Sequence, residues 1–324
     1  MAIIDIHTHM MNEAWVAAIG GHPGYGLTEA GGKKMIALNG RPYMPVEDAM
    51  LDYRRRIADM DAAGVDVAIV SLTTPSVYWA DAALAATLAR NVNDDMADRQ
   101  AAWPDRIRFL ATLPWQHGSA AIAELDYAVK RGAVGVFVGA NIEGLSLTDA
   151  SLATVWAEID RRSLPVLLHP APLPVAESMD LIQYNLVQAV GFMCDTTIAV
   201  ARMIFDGFFD TYPNLKLIAA HVGGTLPYIA GRLDACYEFM EPCREHISER
   251  PSEYLRRIAY DSIGYTKEAI ALCIQVGGLD NVMFGSDYPH LIGHMGPAIE
   301  RVKALAPETH APIFDKNALR IFGL

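Results

Sequence analysis

A chain of 324 residues with 52% hydrophobic and 20% charged side chains can bury a large core, which excludes wholesale disorder. Its 38 acidic against 26 basic residues give a net charge of −12, which argues against a nucleic-acid partner and against docking on anionic lipid. The four cysteines (Cys194, Cys236, Cys243 and Cys273) show no CxxC spacing, so a reducing, cytoplasmic setting is expected rather than a disulfide framework. The opening MAIIDIHTHMM is broken by Asp5 and His7 and lacks a basic leader, which is unlike a signal peptide. No uninterrupted apolar run approaches the about 20 residues of a membrane-spanning helix.

Along the chain, short β-branched apolar runs alternate with amphipathic stretches. The runs read as strands buried on both faces at 2–9, 65–72, 106–114, 133–141, 165–170, 215–224, 258–265 and 282–289. The stretch 46–64 places Met50, Tyr53, Ile57 and Met60 close to the helical period, with Arg54-Arg55-Arg56 as a solvated face. Helices follow by the same logic at 80–100, 120–132, 149–163, 194–213, 226–240 and 267–277. Gly64 and Gly132 fall where C-caps are wanted, and Pro165 and Pro213 just past helix ends.

Eight strand–helix alternations predict one α/β domain over 1–324, a closed (β/α)8 TIM barrel rather than an open doubly wound sheet. His7 and His9 stand after strand one where a dinucleotide-binding sheet would carry a glycine-rich turn. The one long excursion, 10–46, holds Gly20, Gly21, Gly24, Gly26, Gly31, Gly32 and Gly40; it reads as an insertion serving as a lid or binding loop.

In such a barrel the active site lies at the C-terminal ends of the strands. Strand one ends in His7-Thr8-His9, strand five in His169-Pro170, strand six in His221-Val222-Gly223-Gly224 and strand eight in Asp287-Tyr288-Pro289. His7 and His9 are two apart on a strand and leave the same face. Three imidazoles and a carboxylate (His7, His9, His169 and Asp287) suit one divalent metal, Zn2+ first, with Mn2+ or Co2+ as alternatives. The metal would bring the pKa of a bound water toward about 7. His221 is a further ligand, a general base for that water, or structural, and the glycines after it let the backbone pass close to a ligand. Asp261 either orients a histidine or caps a loop, and His290 and His294 either line the mouth or are solvated.

These residues resemble the amidohydrolase-related decarboxylases, in particular the α-amino-β-carboxymuconate-ε-semialdehyde decarboxylase branch. The motifs that carry the likeness are DIHTH (5–9), RRIADMDAAGVD (55–66), LLHP (167–170), YPNLKLIAAHVGG (212–224), GRLD (231–234) and FGSDYP (284–289). The resemblance implies that His7, His9, His169 and Asp287 hold a single Zn2+ and that His221 polarises the metal-bound water. It implies that Arg41, before Pro42, binds a substrate carboxylate. It also implies that Arg232, in the helix after strand six, reaches the neighbouring site of a homodimer. Two arginines suit a carboxylated small molecule, because the guanidinium fork matches a carboxylate. Without a dimer, Arg232 is a helix-surface cation paired with Asp234 or Glu238.

The chain departs from the pattern between strands five and six. Ala171 and Pro172 follow the histidine-proline, and Tyr184 is the nearest aromatic to a missing pocket tryptophan. The strand-one motif lacks the glutamate of the benzoate decarboxylases, which disfavours a benzoate. Ala140-Asn141 ends strand four where two-metal relatives carry a bridging lysine, which favours one metal. The reading is a metal-dependent, non-oxidative decarboxylase of a small unsaturated or aromatic acid. The alternatives are a hydrolase or hydratase acting on a lactone, amide or oxo-diacid, and an inert metal-binding barrel.

Overall fold

The computed structural model describes residues 1–324. Eight parallel strands follow one another around a barrel: β1 (Ile4–Met10), β2 (Val67–Leu72), β3 (Ile107–Thr112), β4 (Gly135–Gly139), β5 (Pro165–His169), β6 (Lys216–Ala219), β7 (Ala259–Asp261) and β8 (Val282–Met283). Each pairs in parallel with the next. The ring closes where Ile6 N donates to Phe284 O at 3.0 Å, Asp287 N to His7 O at 2.9 Å and His9 N to Tyr288 O at 2.8 Å. The expected α/β TIM barrel is therefore present.

β6, β7 and β8 stop short of the predicted 215–224, 258–265 and 282–289. Beyond Ala219, Asp261 and Met283 the backbone leaves the ladder, and those departures carry the polar side chains. Ile4, Ile6, Ile69, Leu110, Phe137, Leu167, Ile218 and Met283 fill the barrel interior, and Ala318, Ile321 and Phe322 of the last helix seal its lower end. A larger core lies between strands and helices.

β1 contains a bulge. Asp5 pairs with Ala68 but Thr8 with Val70, so β1 spends three residues where β2 spends two. The extra residue resets the alternation: Ile6 faces the barrel interior, and His7 and His9 then face it as well.

The excursion 10–46 is not an irregular loop. It forms a helix, Glu13–Gly20, and a three-stranded antiparallel sheet of Tyr25–Ala30, Lys33–Leu38 and Arg41–Pro45. Two-residue turns join these strands, Gly31-Gly32 at φ 58° and 74° and Asn39-Gly40 at φ 50° and 76°, the left-handed pair that matches strand twist. Ile36, Tyr43 and Met44 anchor the sheet in the core.

The helical run Gln183–Phe205 is long and apolar enough by composition to cross a membrane, yet half of its most apolar window is buried against the rest of the molecule. The arginine triplet also departs from expectation. Arg54 and Arg55 are exposed, but Arg56 is fully buried. It lies on the same helix face as Tyr53 and Met60, three residues after one and four before the other. There it donates to His9 O at 2.5 Å and stacks 4.8 Å from the Tyr288 ring centre.

Candidate metal centre

The bulge in β1, the end of β5 and the turn after β8 bring His7, His9, His169 and Asp287 together. One donor atom from each lies within 4.8 Å of all the others, and all four residues are buried. His7 Nε2 and His9 Nε2 are 3.0 Å apart, and Asp287 Oδ1 lies 3.1 Å from His9 Nε2 and 3.4 Å from His7 Nε2. His221 joins from the other side, its Nε2 3.5 Å from Asp287 Oδ2.

The second nitrogen of each ligand-type histidine is occupied. His169 Nδ1 lies 2.8 Å from Pro170 O, and a carbonyl only accepts, so Nδ1 carries the proton and Nε2 is bare. His7 Nδ1 donates to Asp261 Oδ2 at 2.7 Å. His9 Nδ1 meets Ser71 Oγ at 3.2 Å, and that hydroxyl donates to Thr8 O, so it accepts from the ring. Three bare Nε2 atoms and a carboxylate thus converge in a buried space. Lone pairs 3.0 Å apart repel unless a cation lies against them. This donor set fits one divalent metal, with the far nitrogens fixed by hydrogen bonds.

Electrostatics agree. Burial pushes the His9 ring down to about 3 and the His169 ring well below the ordinary histidine range, so both are neutral donors. Burial also opposes charge on Asp287, but His290, His221 and His9 outweigh it and hold the carboxyl well below the usual carboxylate range. At His7 burial is again opposed, here by Asp261 and Asp287, and the ring's proton affinity rises. Acidic surroundings that favour a proton there also favour a metal ion.

Asp261 does both things expected of it. Oδ2 accepts from His7 Nδ1 and from His221 N at 2.8 Å, while Oδ1 accepts from Val222 N at 3.0 Å and Ile263 N at 2.9 Å. Those bonds hold His221 (φ 55°) and Val222 (φ 50°) in the left-handed region, costly for a β-branched residue. The following glycines serve protein neighbours rather than a ligand. A Cβ on Gly224 would lie 2.5 Å from Met193 O, and one on Gly223 would lie 2.8 Å from the Tyr260 ring.

Five predicted residues therefore meet, and two do not join them. Arg41 is exposed on the last strand of the inserted sheet, 3.6 Å from Asp180. Arg232 is exposed on the helix Leu226–Phe239 and pairs with neither Asp234 nor Glu238; these instead accept from Ser252 N and pair with Arg250. Tyr184 is 81% exposed. Asn141 ties loops together, donating to Pro172 O and Asp195. His294 is exposed, but His290 lies with its ring 4.9 Å from that of His9.

Sequence reasoning did not single out Ser71 or assign a role to Asp5. Ser71 pairs with His9 only beyond the β1 bulge, whose one-residue shift in register no local pattern in the sequence marks. Asp5 accepts from Ser286 N and Ser286 Oγ and so ties β1 to the segment that carries Asp287; burial raises its pKa to about 7.

Comparison with known proteins is consistent with this geometry. Residues 4–324 match the family model described as Amidohydrolase. The chain is 30% identical to the 2-amino-3-carboxymuconate-6-semialdehyde decarboxylase of Dictyostelium discoideum, over 99% of this chain and 91% of that one. It is 31% identical to the gamma-resorcylate decarboxylase of a Polaromonas strain, over 72% of this chain and 76% of that one. Among solved structures, the 5-carboxyvanillate decarboxylase of Novosphingobium aromaticivorans, complexed with manganese, superposes with a TM-score of 0.86 at 25% identity, covering 100% of this chain and 96% of that one. The chain belongs to the amidohydrolase family, among its decarboxylases.

Proposed function

We propose that this protein is a metal-dependent, non-oxidative decarboxylase of a small aromatic or unsaturated acid. One observation carries the reading: three imidazoles with occupied Nδ1 atoms turn their Nε2 atoms, together with Asp287, toward one buried point at the barrel mouth. We assign His7, His9, His169 and Asp287 as ligands of a single ion, Zn2+ first, since imidazole and carboxylate donors also suit Mn2+ and Co2+. Manganese in the carboxyvanillate decarboxylase supports a divalent ion.

When bound, the metal supplies a Lewis acid that draws negative charge toward the substrate's oxygens. The chain's own residues manage the proton. His221 Nδ1 is buried without a protein partner, and its Nε2 faces Asp287 Oδ2 at 3.5 Å. The bond to the carboxylate breaks, its electron pair stays on the substrate carbon, and CO2 leaves. That carbon takes the Nε2 proton of His221 while Nδ1, free of any protein partner, takes one from solvent, so the ring ends neutral and solvent supplies the net proton. Arg41 leaves a weak surface pair to bind a carboxylate at the mouth.

We assign Arg232 to the neighbouring site of a homodimer, supported by the exposed Tyr228, Phe239 and Met240 on and just after its helix. Residues 1–324 act as one domain in this reading, with 10–46 as the lid. The four free cysteines support a cytoplasmic setting.

The test is CO2 release by metal-loaded protein from 2-amino-3-carboxymuconate-6-semialdehyde, 2,6-dihydroxybenzoate and 5-carboxyvanillate. At least one is decarboxylated, chelation abolishes the activity, and Zn2+ or Mn2+ restores it. No CO2 from any of the three, with hydrolysis of a lactone or amide instead, replaces this reading with the hydrolase.

A further inference from the structure

We propose that Arg56 is a positioning residue for the metal centre. It clamps the end of β1 to the segment after β8 and so sets the spacing of His9 and Asp287. This rests on the metal-dependent decarboxylase reading above, in which those two side chains are ligands.

The clamp lies at the seam of the barrel. β1 and β8 share no continuous ladder there. Past Ile6 and Phe284 they are joined by Asp287 N to His7 O, by His9 N to Tyr288 O and by an isolated parallel bridge between Thr8 and Tyr288. Two of the four ligand-type side chains nevertheless meet across this seam, His9 Nε2 and Asp287 Oδ1 at 3.1 Å. Asp287 also stands at φ 59°, in the left-handed region uncommon outside glycine. The direction of its carboxylate therefore depends on what holds its neighbours. Ser286, before it, is bonded to Asp5. Tyr288, after it, is held by the helix Tyr53–Ala63.

That helix carries Arg56 and Asp59 three residues apart, as neighbours on its surface. Arg56 Nη2 donates to His9 O at 2.5 Å, its Nε faces Met10 Sδ, and the guanidinium lies 4.8 Å from the centre of the Tyr288 ring. Asp59 Oδ2 accepts from the Tyr288 hydroxyl at 2.6 Å. One helix thus grips β1 by the carbonyl of one ligand and the β8 segment by the residue that follows the other.

Stability alone does not account for this arginine. A guanidinium taken out of water is ordinarily neutralised by a carboxylate. Arg56 is fully buried, yet it forms no ion pair; Asp5 and Asp59 act on it only at longer range, and Nη1 has no partner. An apolar side chain of similar volume would fill the same space at lower cost. What a guanidinium adds there is a donor for His9 O together with a flat cationic face for Tyr288.

The experiment loads the full chain with Co2+. It measures affinity by chelator competition, the visible absorption spectrum as a report of ligand geometry, and the melting temperature of the metal-free chain. Arg56→Met lowers Co2+ affinity roughly tenfold or more and shifts the spectrum. Arg56→Lys keeps the charge and a donor but no flat face; it loses less, and it serves if the methionine variant does not fold. Tyr288→Leu removes the ring. Combined with Arg56→Met it costs less than the product of the two single losses, because both break one clamp. The proposal is overturned if the Arg56 variants lower the melting temperature with affinity and spectrum unchanged. It is equally overturned if the two losses simply multiply, or if removing the buried cation raises the affinity. A wild type that takes up no Co2+ sinks the clamp and the metal site together. The expected losses in a protein that releases CO2 from none of the acids tested sink the decarboxylase reading alone.

Discussion

The floor of the site and its rim are built on opposite terms. On the floor, Asp261 accepts four hydrogen bonds, Asp5 ties β1 to the Asp287 segment, and the three ligand-type histidines each have Nδ1 occupied. On the rim, Arg41 and Asp180 meet at 3.6 Å with both side chains 61% exposed, and Met179 and Tyr184 project into solvent. Asp180, Tyr184 and Asn185 take left-handed φ there, in turns closed by local backbone bonds such as Asp180 N to Glu177 O and Asn185 N to Ile182 O. Saturated, buried hydrogen bonding fixes the chemistry in one geometry, whereas the segment after β5 is free to differ between relatives that keep the same floor.

The sharpest way to break this contrast is Asp261→Asn. An amide accepts through one oxygen only, and its NH2 would face either the His7 ring N–H or the backbone of the His221 turn. His7 then loses the partner that fixes its tautomer, and His221 loses the bonds that hold it at positive φ. Metal affinity falls roughly 10- to 100-fold, measured by chelator competition, and kcat falls with it at saturating metal. An affinity within a factor of two of wild type would mean the floor tolerates what the rim tolerates.

A second prediction concerns the joint between the two regions. Asp195 accepts from Asn141 Nδ2 at 3.0 Å and from Ala171 N at 2.8 Å, and so ties the loops after β4 and β5. Burial pushes its carboxyl up to about 6 from an ordinary 3.8, despite both bonds. A raised folded-state value means the favourable contribution is complete below about pH 4 and disappears as pH climbs through 6. Two units correspond to at most about 3 kcal/mol. Urea unfolding at a series of pH values should show stability declining over that window in wild type and less so in Asp195→Asn. Equal slopes would remove Asp195 from the joint.

The sequence carried the floor better than the rim because the floor obeys short-range rules. Histidines two apart on a strand share a face, and polar residues at barrel strand ends face the mouth, so His7, His9, His169, His221 and Asp287 were all legible. The bulge that turns His7 inward after Ile6 was not, because register is set by the partner strand. Arg56 was misread because charge was weighed above position. Its spacing from Tyr53 and Met60 marks the inner face, and burial is tolerable there because His9 O and the Tyr288 ring receive the guanidinium. The hairpins of 10–46 were readable in Gly31-Gly32 and Asn39-Gly40, whose left-handed turns dictate antiparallel pairing. Tyr184 could not have been placed from sequence, since no periodicity or packing partner specifies it.

The smallest expected effect is on the rim itself. Arg41 and Asp180 are both mostly in solvent, where an ion pair contributes little, so Arg41→Ala changes unfolding free energy by no more than about 0.5 kcal/mol. Its effect is expected in KM for a carboxylated substrate, with metal content and melting temperature unchanged. Asp180→Ala separates the two roles, because it breaks the same pair while leaving the guanidinium free. If Arg41 serves the substrate, KM rises in the arginine variant and does not rise in the aspartate variant. If the pair instead staples the inserted sheet to the segment after β5, both variants lose stability by the same amount and KM follows stability. The rim would then belong to the fold, and the contrast with the floor would be one of degree.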